Sequence, residues 1–200
     1  NFVMVLADTV TATVAGGKCR DVIEIPINLR NSVPVRYIEV PVVYDGPVEM
    51  TLLSETTEGC RTDYFDIVQR IHYDEQNNRA TIKLVSSTDG SNPYLAPGNG
   101  PVLKLRFSIA EQDSYGSSTP IDLSGYLSHV PYCSWPLLEW NPKPVAGSIT
   151  LMIDRGDCNA DASITVSDLT YLVDYLFRAG AEPIPLESGD VNCSGSCNVT

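Results

Sequence analysis

Residues 22–30 read VIEIPINLR, an alternation of apolar with other side chains that predicts an extended β-strand. Successive side chains of a strand point to opposite faces, so the three isoleucines and Leu29 fall on one face. Residues 102–109, VLKLRFSI, repeat this pattern, with both leucines, Phe107 and Ile109 on one face. Both segments are therefore expected to bury one face in a core.

Weaker versions of this alternation continue along the chain. They cover residues 3–14, 35–44, 64–73, 79–85, 121–130 and 145–152. Clusters of glycine, proline and asparagine separate them, and no helical periodicity comes between. Eight or nine half-buried strands in this arrangement predict a mainly β protein built as an antiparallel β-sandwich. A parallel α/β fold is excluded, because it needs crossover helices between its strands.

The composition is that of an acidic globular protein. The 200 residues are 43% hydrophobic and carry a formal net charge of -12, with an isoelectric point near 4.4. This charge disfavours nucleic acid and anionic membrane surfaces as partners. No apolar run approaches the roughly 18–20 residues of a membrane-spanning helix. Because the first residues already have a strand pattern, we expect a mature or trimmed soluble chain without a membrane span.

The cysteines favour an oxidising compartment. There are six of them, an even number, and none of their spacings is the CxxC of a zinc knuckle or a thioredoxin-type site. We therefore predict disulfides and an extracellular or cell-surface location. The spacing does not choose among the possible pairings.

The last 48 residues differ from the rest in charge and periodicity. Residues 1–152 hold 17 acidic and 11 basic side chains, and residues 153–200 hold 8 and 2, so each part has a net charge of -6. The second part contains a clear helical stripe, which Gly180 ends. Its members are Leu169, Leu172, Val173, Leu176 and Phe177. We predict a β-sandwich domain over residues 1–152 and a small helical domain, called the tail, over residues 153–200.

Residues 157–168, DCNADASITVSD, lie directly before this helix and have the spacing of an EF-hand calcium loop. Oxygen-bearing side chains occupy positions 1, 3, 5, 9 and 12 of this first loop. Calcium takes about 6–8 oxygen ligands, which such a loop can supply. The predicted ligands are the side chains of Asp157, Asn159 and Asp161, the carbonyl of Ser163, Thr165 directly or through water, and the carboxylate of Asp168. Ile164, at position 8, is expected to turn into the core.

Two positions of the first loop depart from the common pattern. Position 6, usually glycine, is Ala162, which costs about 1–2 kcal/mol if a left-handed conformation is required. The closing residue is Asp168 rather than the longer glutamate of calcium sensors. The alternative is an acidic turn in which Ser167 or Asp168 only caps the helix.

A second copy of the pattern, called the second loop, begins with Asp190, 33 residues after Asp157. Its candidate calcium ligands are Asp190, Asn192, Ser194, Ser196 and Asn198. Gly195 restores the glycine at position 6, but serine at position 5 brings less negative charge, and the sequence stops before position 12. Weaker calcium binding is therefore expected here. Asn198 and Asn192 also begin N-x-S/T sequons, and a glycan on Asn192 would compete with calcium.

From Gly156 onward, the segments GDCNAD and ITVSDL, the leucine-rich helix and a second GDVN resemble a dockerin without its second helix. Residues 22–27, 37–44 and 100–107 resemble the cohesin β-sandwich that dockerins recognise. The resemblance implies a cohesin-like jelly roll followed by a truncated, calcium-folded dockerin. It also implies a docking surface on the tail. By position, this surface consists of Val166, Ser167, Val173, Asp174 and Arg178.

The main functional hypothesis is therefore a non-catalytic extracellular assembly protein. The implied partner is a cohesin- or dockerin-bearing protein, or a second copy of this chain. A head-to-tail contact that does not close generates an open polymer, so self-association predicts a fibre or filament. Alternatively, the tail folds back on its own sandwich as an intramolecular clasp.

A second hypothesis is a carbohydrate-binding or adhesion module. In it, Tyr126, Tyr132, Trp135 and Trp140 form a platform on which a glycan stacks. An enzyme is disfavoured, because the two histidines, at positions 72 and 129, lie in strand-like segments without an adjacent nucleophile motif.

Overall fold

The computed structural model describes residues 7–110, 112, 114–124, 131–135, 138–192 and 194–198. This part of the chain contains thirteen strands and one α-helix. The strands are β1 (Thr9–Ala12), β2 (Val14–Gly17), β3 (Val22–Asn31), β4 (Tyr37–Val43), β5 (Met50–Thr56), β6 (Ile67–Asp74), β7 (Arg79–Val85), β8 (Gly98–Ile109), β9 (Ser118–Ile121), β10 (Tyr132–Trp135), β11 (Leu138–Trp140), β12 (Lys143–Val145) and β13 (Gly147–Leu151). The helix is α1 (Val166–Arg178), and short 3-10 helices span Glu75–Asn77 and Leu186–Gly189.

The alternating segment VIEIPINLR forms β3, the centre of a five-stranded sheet in the order β12-β1-β3-β8-β5. Strand β3 pairs antiparallel with β8, so the two segments with the clearest alternation are neighbours. Ile25, Ile27 and Leu29 are fully buried, as are Leu103 and Leu105 of β8. The prediction that these two strands bury one face is confirmed.

A second five-stranded sheet, in the order β11-β10-β4-β7-β6, supplies the other half of the core. Val40 of β4 and Ile82 of β7 belong to the same buried cluster as the inward side chains of the first sheet. Within that cluster Tyr44 meets Phe107 edge to face, with ring centroids 5.1 Å apart. The protein is therefore mainly β, with its core between two sheets, as the alternation predicts.

A third sheet has the order β2-β13-β9, and its strand β13 is the last strand before the tail. Antiparallel pairing predominates, but β1 pairs parallel with β12, and β2 pairs parallel with β13. The alternation does not predict these two exceptions, because it determines which face of a strand is buried and not which neighbour the strand takes.

Some predicted strands differ in extent from the observed ones. The strand expected over residues 3–14 is divided near Thr13, whose N–H bonds to the Pro26 carbonyl at 3.3 Å, and residues 3–6 lie outside the described residues. Most of the strand expected over residues 121–130 also lies outside them. Strand β5 was not predicted, because a register shift between Leu52 and Ser54 breaks its alternation.

The predicted helix is present as α1, with only its ends adjusted. It ends at Arg178, after which Ala179 is left-handed, with a φ of 53°. The Gly180 N–H bonds back to the Asp174 carbonyl at 2.9 Å, so the chain leaves the helix at Ala179, one residue before the glycine that was expected to stop it. Within the described residues, no helix combines the length and apolar character needed to cross a membrane.

The expected disulfides are not formed among the described cysteines. Cys19, Cys60, Cys133, Cys158 and Cys197 are all free thiols. Cys133 is fully buried in the sandwich core, and burial raises the pKa of its thiol well above the usual range. Such a thiol packs as a small apolar side chain rather than as a reactive group.

Candidate metal centre

The first loop brings three carboxylates together at the start of helix α1. Oxygen atoms of Asp157, Asp161 and Asp168 all lie within 4.8 Å of one another. Asp157 and Asp168 are buried, with 7% and 2% of their surface exposed, whereas Asp161 faces solvent. Clustered carboxylate oxygens are the donors that calcium prefers, so this residue set fits the ion that the loop pattern predicts.

The backbone of the loop directs two N–H groups at the first carboxylate. Asp157 accepts hydrogen bonds from Asp161 N at 3.1 Å and from Ala162 N at 2.8 Å. Ala160 and Ala162 adopt left-handed conformations, with φ values of 58° and 65°. Position 6 thus requires the conformation that favours glycine, and its alanine carries the expected strain of about 1–2 kcal/mol.

The closing carboxylate ties the start of the loop to the helix. One oxygen of Asp168 accepts from Cys158 N at 2.9 Å and Asn159 N at 3.3 Å, and the other accepts from Thr165 N at 2.8 Å. Thr165 is the N-cap of α1 and forms a capping box with Asp168. Asp168 therefore takes part in capping the helix, as the alternative interpretation has it, and it is also the residue at position 12 of the loop.

The pKa values reflect this crowding. Burial raises the pKa of Asp157, and the nearby charges of Asp168 and Asp161 raise it further against the two loop N–H groups. Burial also acts to raise the pKa of Asp168, but the N–H groups of Thr165, Asn159 and Cys158 outweigh it and hold the value below the usual range. Asp168 is thus held as an anion, while the ionised form of Asp157 is costly without a positive neighbour.

The remaining predicted ligands surround this cluster. Asn159 Oδ1 accepts from Asp161 N at 3.1 Å, and Ser163 N donates to Asp161 Oδ1 at 2.9 Å. Thr165 Oγ1 donates to Asp168 Oδ2 at 3.3 Å. Each of these residues is therefore in direct contact with a clustered aspartate.

The prediction for Ile164 is wrong. Its side chain is 62% exposed and lies over Gly156. A Cβ added to this glycine would lie 3.4 Å from Cγ2 of Ile164. The tail offers Ile164 no apolar interior at this point, so the side chain covers backbone at the surface instead.

The second loop wraps its first carboxylate in the same way. Asp190 accepts from Ser194 N and Gly195 N, each at 2.9 Å, and Gly195 is left-handed with a φ of 86°. Asn192 Oδ1 accepts from Ser194 N at 3.1 Å, as Asn159 does in the first loop. The difference is Arg155, whose Nη1 lies 3.0 Å from Asp190 Oδ2 and 2.5 Å from the Asp190 carbonyl oxygen.

The other candidate ligands of the second loop do not add charge. Ser194 Oγ donates to the Ser196 carbonyl at 3.2 Å, and Asn198 Nδ2 donates to Ser196 Oγ at 2.6 Å. Asn192 and Asn198, the two sequon asparagines, are both exposed. In the described part of the chain, the first loop holds the only group of three or more His, Cys, Asp or Glu side chains whose ligand atoms lie this close together.

One face of helix α1, called the stripe of α1, carries Val166, Leu169, Val173 and Phe177 and is largely open to solvent. Val166, Leu169 and Phe177 are 77%, 61% and 65% exposed, and Val173, one turn from each of the last two, is half-buried. Such spacing places the four side chains along one face of the helix. Of the docking residues implied by the resemblance, Val166, Ser167 and Arg178 are exposed and Val173 and Asp174 are half-buried, with Asp174 and Arg178 paired at 2.9 Å.

The first loop lies against the turn between β2 and β3. Lys18 Nζ lies 2.6 Å from Asp154 Oδ2, and Arg20 Nη1 lies 3.5 Å from the Asp161 carbonyl oxygen. The hydrogen bond that Lys18 donates to Asp154 raises the pKa of Lys18. A cleft of about 180 Å³ remains between the turn and the loop. These two basic residues could not be predicted from the sequence, because their contacts join positions 136 and 141 residues apart.

The aromatic residues do not share one platform. Tyr132 lies beside Tyr37 on one face of the second sheet, with ring centroids 5.8 Å apart. Trp135 is an odd number of residues away on the same strand and therefore points to the opposite face, and Trp140 packs against the core. Tyr126 and His129 lie outside the described residues, and His72 is exposed on β6.

No family model and no curated protein matches the sequence. Solved structures of cohesins, however, are similar in fold. The sixth cohesin of scaffoldin B from Acetivibrio cellulolyticus, solved with a dockerin, has a TM-score of 0.55 at 17% identity and covers 72% of this chain and 99% of its own. A non-cellulosomal cohesin from Archaeoglobus fulgidus has a TM-score of 0.57 at 13% identity, covering 78% and 99%. A type I cohesin–dockerin complex from Clostridium thermocellum has a TM-score of 0.51 at 14% identity, covering 73% and 99%. The chain therefore has a cohesin-like β-sandwich fold.

Proposed function

We propose that this protein is a non-catalytic docking module of an extracellular or cell-surface assembly. In this proposal the tail is a truncated dockerin, calcium orders its first loop, and helix α1 docks onto a cohesin-like sandwich. The observation that carries the proposal is the three-carboxylate cluster at the start of a helix whose apolar stripe is open to solvent.

Calcium would be held by Asp157, Asp161 and Asp168, with Asn159, Thr165 and the Ser163 carbonyl as the further oxygen donors. When bound, the ion would supply the positive charge that the three carboxylates lack. It would thereby stabilise the segment that joins the sandwich to α1, because a metal that binds only the folded state raises its stability. The tail needs such support, since a core this small does not stand on burial alone.

The docking face would be the apolar stripe of α1, together with Ser167, Asp174 and Arg178. Eight of the fifteen exposed large apolar side chains in the described part of the chain belong to residues 152–191. An exposed apolar concentration of this kind is typical of an interaction surface. In the solved complexes a cohesin binds a dockerin, and this chain carries a cohesin-like sandwich of its own. The partner is therefore a cohesin-like domain, and a second copy of the chain would give a head-to-tail filament.

Contacts between the first loop and the β2–β3 turn favour an intramolecular clasp as a further feature. The Lys18–Asp154 ion pair holds the residues just before the first loop against the chain's own sandwich, and the contact between Arg20 and the Asp161 carbonyl holds the loop itself there. The stripe of α1 stays exposed in this arrangement, so the clasp positions the docking face without covering it.

Sedimentation velocity over a range of protein concentrations, with calcium and with chelator, tests the proposal. We expect larger species in calcium and monomers in chelator. Leu169→Asp should abolish the larger species, whereas Thr170→Asp, an equal charge change beside the stripe, should retain them. Asp157→Asn should also abolish them, with Asp45→Asn on an exposed sandwich turn as its control.

Monomers at all concentrations in calcium would remove self-assembly. Binding to an isolated cohesin domain, measured by calorimetry with the same four variants, then decides between docking to a separate partner and no docking at all.

A further inference from the structure

We propose that Arg155 takes the place of a metal ion at the second loop, so that the tail binds one calcium ion and not two. This inference rests on the proposed calcium site of the first loop. The dockerin resemblance implies a metal in each loop, but the residues around the second loop do not fit one.

The two loops have the same backbone design. In each, the aspartate at position 1 accepts N–H groups from the residues four and five positions later, and the asparagine at position 3 accepts the first of these as well. Position 6 is left-handed in both, at Ala162 and Gly195. At positions 1, 3, 5 and 6 the two loops therefore share the same backbone geometry.

The difference lies in the charges around position 1. The carboxylate of Asp157 faces those of Asp161 and Asp168, so three anions share one point. The carboxylate of Asp190 is only 6% exposed and faces a guanidinium, with serine in place of the aspartate at position 5. Backbone N–H donors stabilise the carboxylate in both loops, but in the second loop a guanidinium adds a positive charge beside it.

The fold brings Arg155 to this place by backbone pairing. Gly156 N donates to the Ser188 carbonyl at 2.7 Å, and Ile184 N donates to the Cys158 carbonyl at 3.2 Å. The lead-in to the first loop therefore runs beside the segment that enters the second loop. Arg155 contacts both the carboxylate and the carbonyl oxygen of Asp190, two oxygens on one side of the loop.

The pKa of Asp190 agrees with this arrangement. Burial acts to raise it, but the N–H groups of Gly195 and Ser194 and the Arg155 side chain bring it below the usual range. A cation entering the loop would meet the guanidinium already on Oδ2. It would also find serine at position 5, where the first loop has an aspartate.

Native mass spectrometry and calorimetry of the full chain with calcium test the stoichiometry. We expect one equivalent for the wild type, none for Asp157→Asn and one for Asp190→Asn. Two equivalents in the wild type, with the second lost in Asp190→Asn, would overturn the inference and leave the proposed function intact. No uptake by the wild type would instead remove the proposed calcium site.

The ion pair itself is tested in chelator by hydrogen exchange of residues 186–198 in Arg155→Gln, Asp190→Asn and the double variant. We expect Arg155→Gln to speed amide exchange of this segment about tenfold, because the variant loses the charge-assisted hydrogen bond to the Asp190 carboxylate. Exchange in the double variant should be slower than in Arg155→Gln. Arg36→Gln, an exposed arginine of the sandwich, is the control and should leave this segment unchanged. Additive effects of the two substitutions would overturn the inference whatever the calcium result.

Discussion

In the first and second loops of the tail, an aspartate accepts hydrogen bonds from equivalent backbone N–H groups, but the charges beside the two aspartates are opposite in sign. Asp157 is crowded by two further carboxylates, and Asp190 is paired with Arg155. A shared loop geometry therefore does not imply a shared charge environment. What the loop binds depends on residues outside the repeated pattern, because charge compensation is a property of the neighbourhood.

The largest expected effect is on calcium affinity. Asp157→Asn removes a carboxylate from the cluster and should weaken calcium binding by more than the roughly 10–100-fold that outer-shell partners cost. Asp190→Asn should leave the affinity nearly unchanged, because its loop already holds a cation. Calorimetric titration of both variants at one pH and ionic strength provides the measurement. Comparable losses of affinity in the two variants would show that both loops bind calcium.

Substitutions at position 6 of the two loops should have the next largest effect, on the stability of each loop. Ala162→Gly removes the strain of a left-handed alanine, and Gly195→Ala introduces it, so the two should change loop stability in opposite directions by about 1–2 kcal/mol. Thermal unfolding and amide exchange of the tail measure both. Gly90→Ala, another left-handed glycine with open space around it, should affect the sandwich and leave the tail unchanged. Equal destabilisation by Ala162→Gly and Gly195→Ala would contradict the expectation.

These loops also show what sequence reasoning reaches and what it misses. The alternation predicted β3 and β8 because both are central strands with one buried face, and it missed β5 because a register shift there breaks the period. The loop spacing predicted that Asp157 and Asp168 would meet, since both belong to one short turn leading into a helix.

Long-range placement was beyond the sequence. Arg155 lies outside either loop pattern, and only the pairing of its segment with residues 184–190 brings it to Asp190. The inward turn expected of Ile164 failed for the same reason, because the tail provides no apolar interior beneath it. The five described cysteines do not form the disulfides expected from the even cysteine count, because packing, and not number, decides whether two thiols meet.

Acidification should separate the two loops in the absence of metal. The pKa of Asp157 is raised, so its contribution to stability is present at low pH and is lost as pH rises through that value. The pKa of Asp190 is lowered, so its contribution is present at neutral pH and is lost as pH falls through that value. In a carboxyl NMR titration with chelator, we expect the midpoint of Asp157 to lie above the usual aspartate value near 3.9 and that of Asp190 to lie below it. The reverse order would show that the charges around the loops are misassigned.

The smallest expected effect is on the stability of the tail. It concerns two adjacent residues, of which Asp154 pairs with the sandwich and Arg155 pairs within the tail. Asp154 pairs with Lys18 of the sandwich, whose side chain is 47% exposed, whereas Arg155 pairs with the nearly inaccessible Asp190. Exposed ion pairs are worth about 0–1 kcal/mol and are screened by salt. Lys18→Gln should therefore lower tail stability by no more than about 1 kcal/mol, less than Arg155→Gln, with Lys143→Gln as an exposed control. Tail unfolding at low and high salt measures this, and a larger loss for Lys18→Gln would mean that the clasp to the sandwich, and not the internal ion pair, holds the second loop in place.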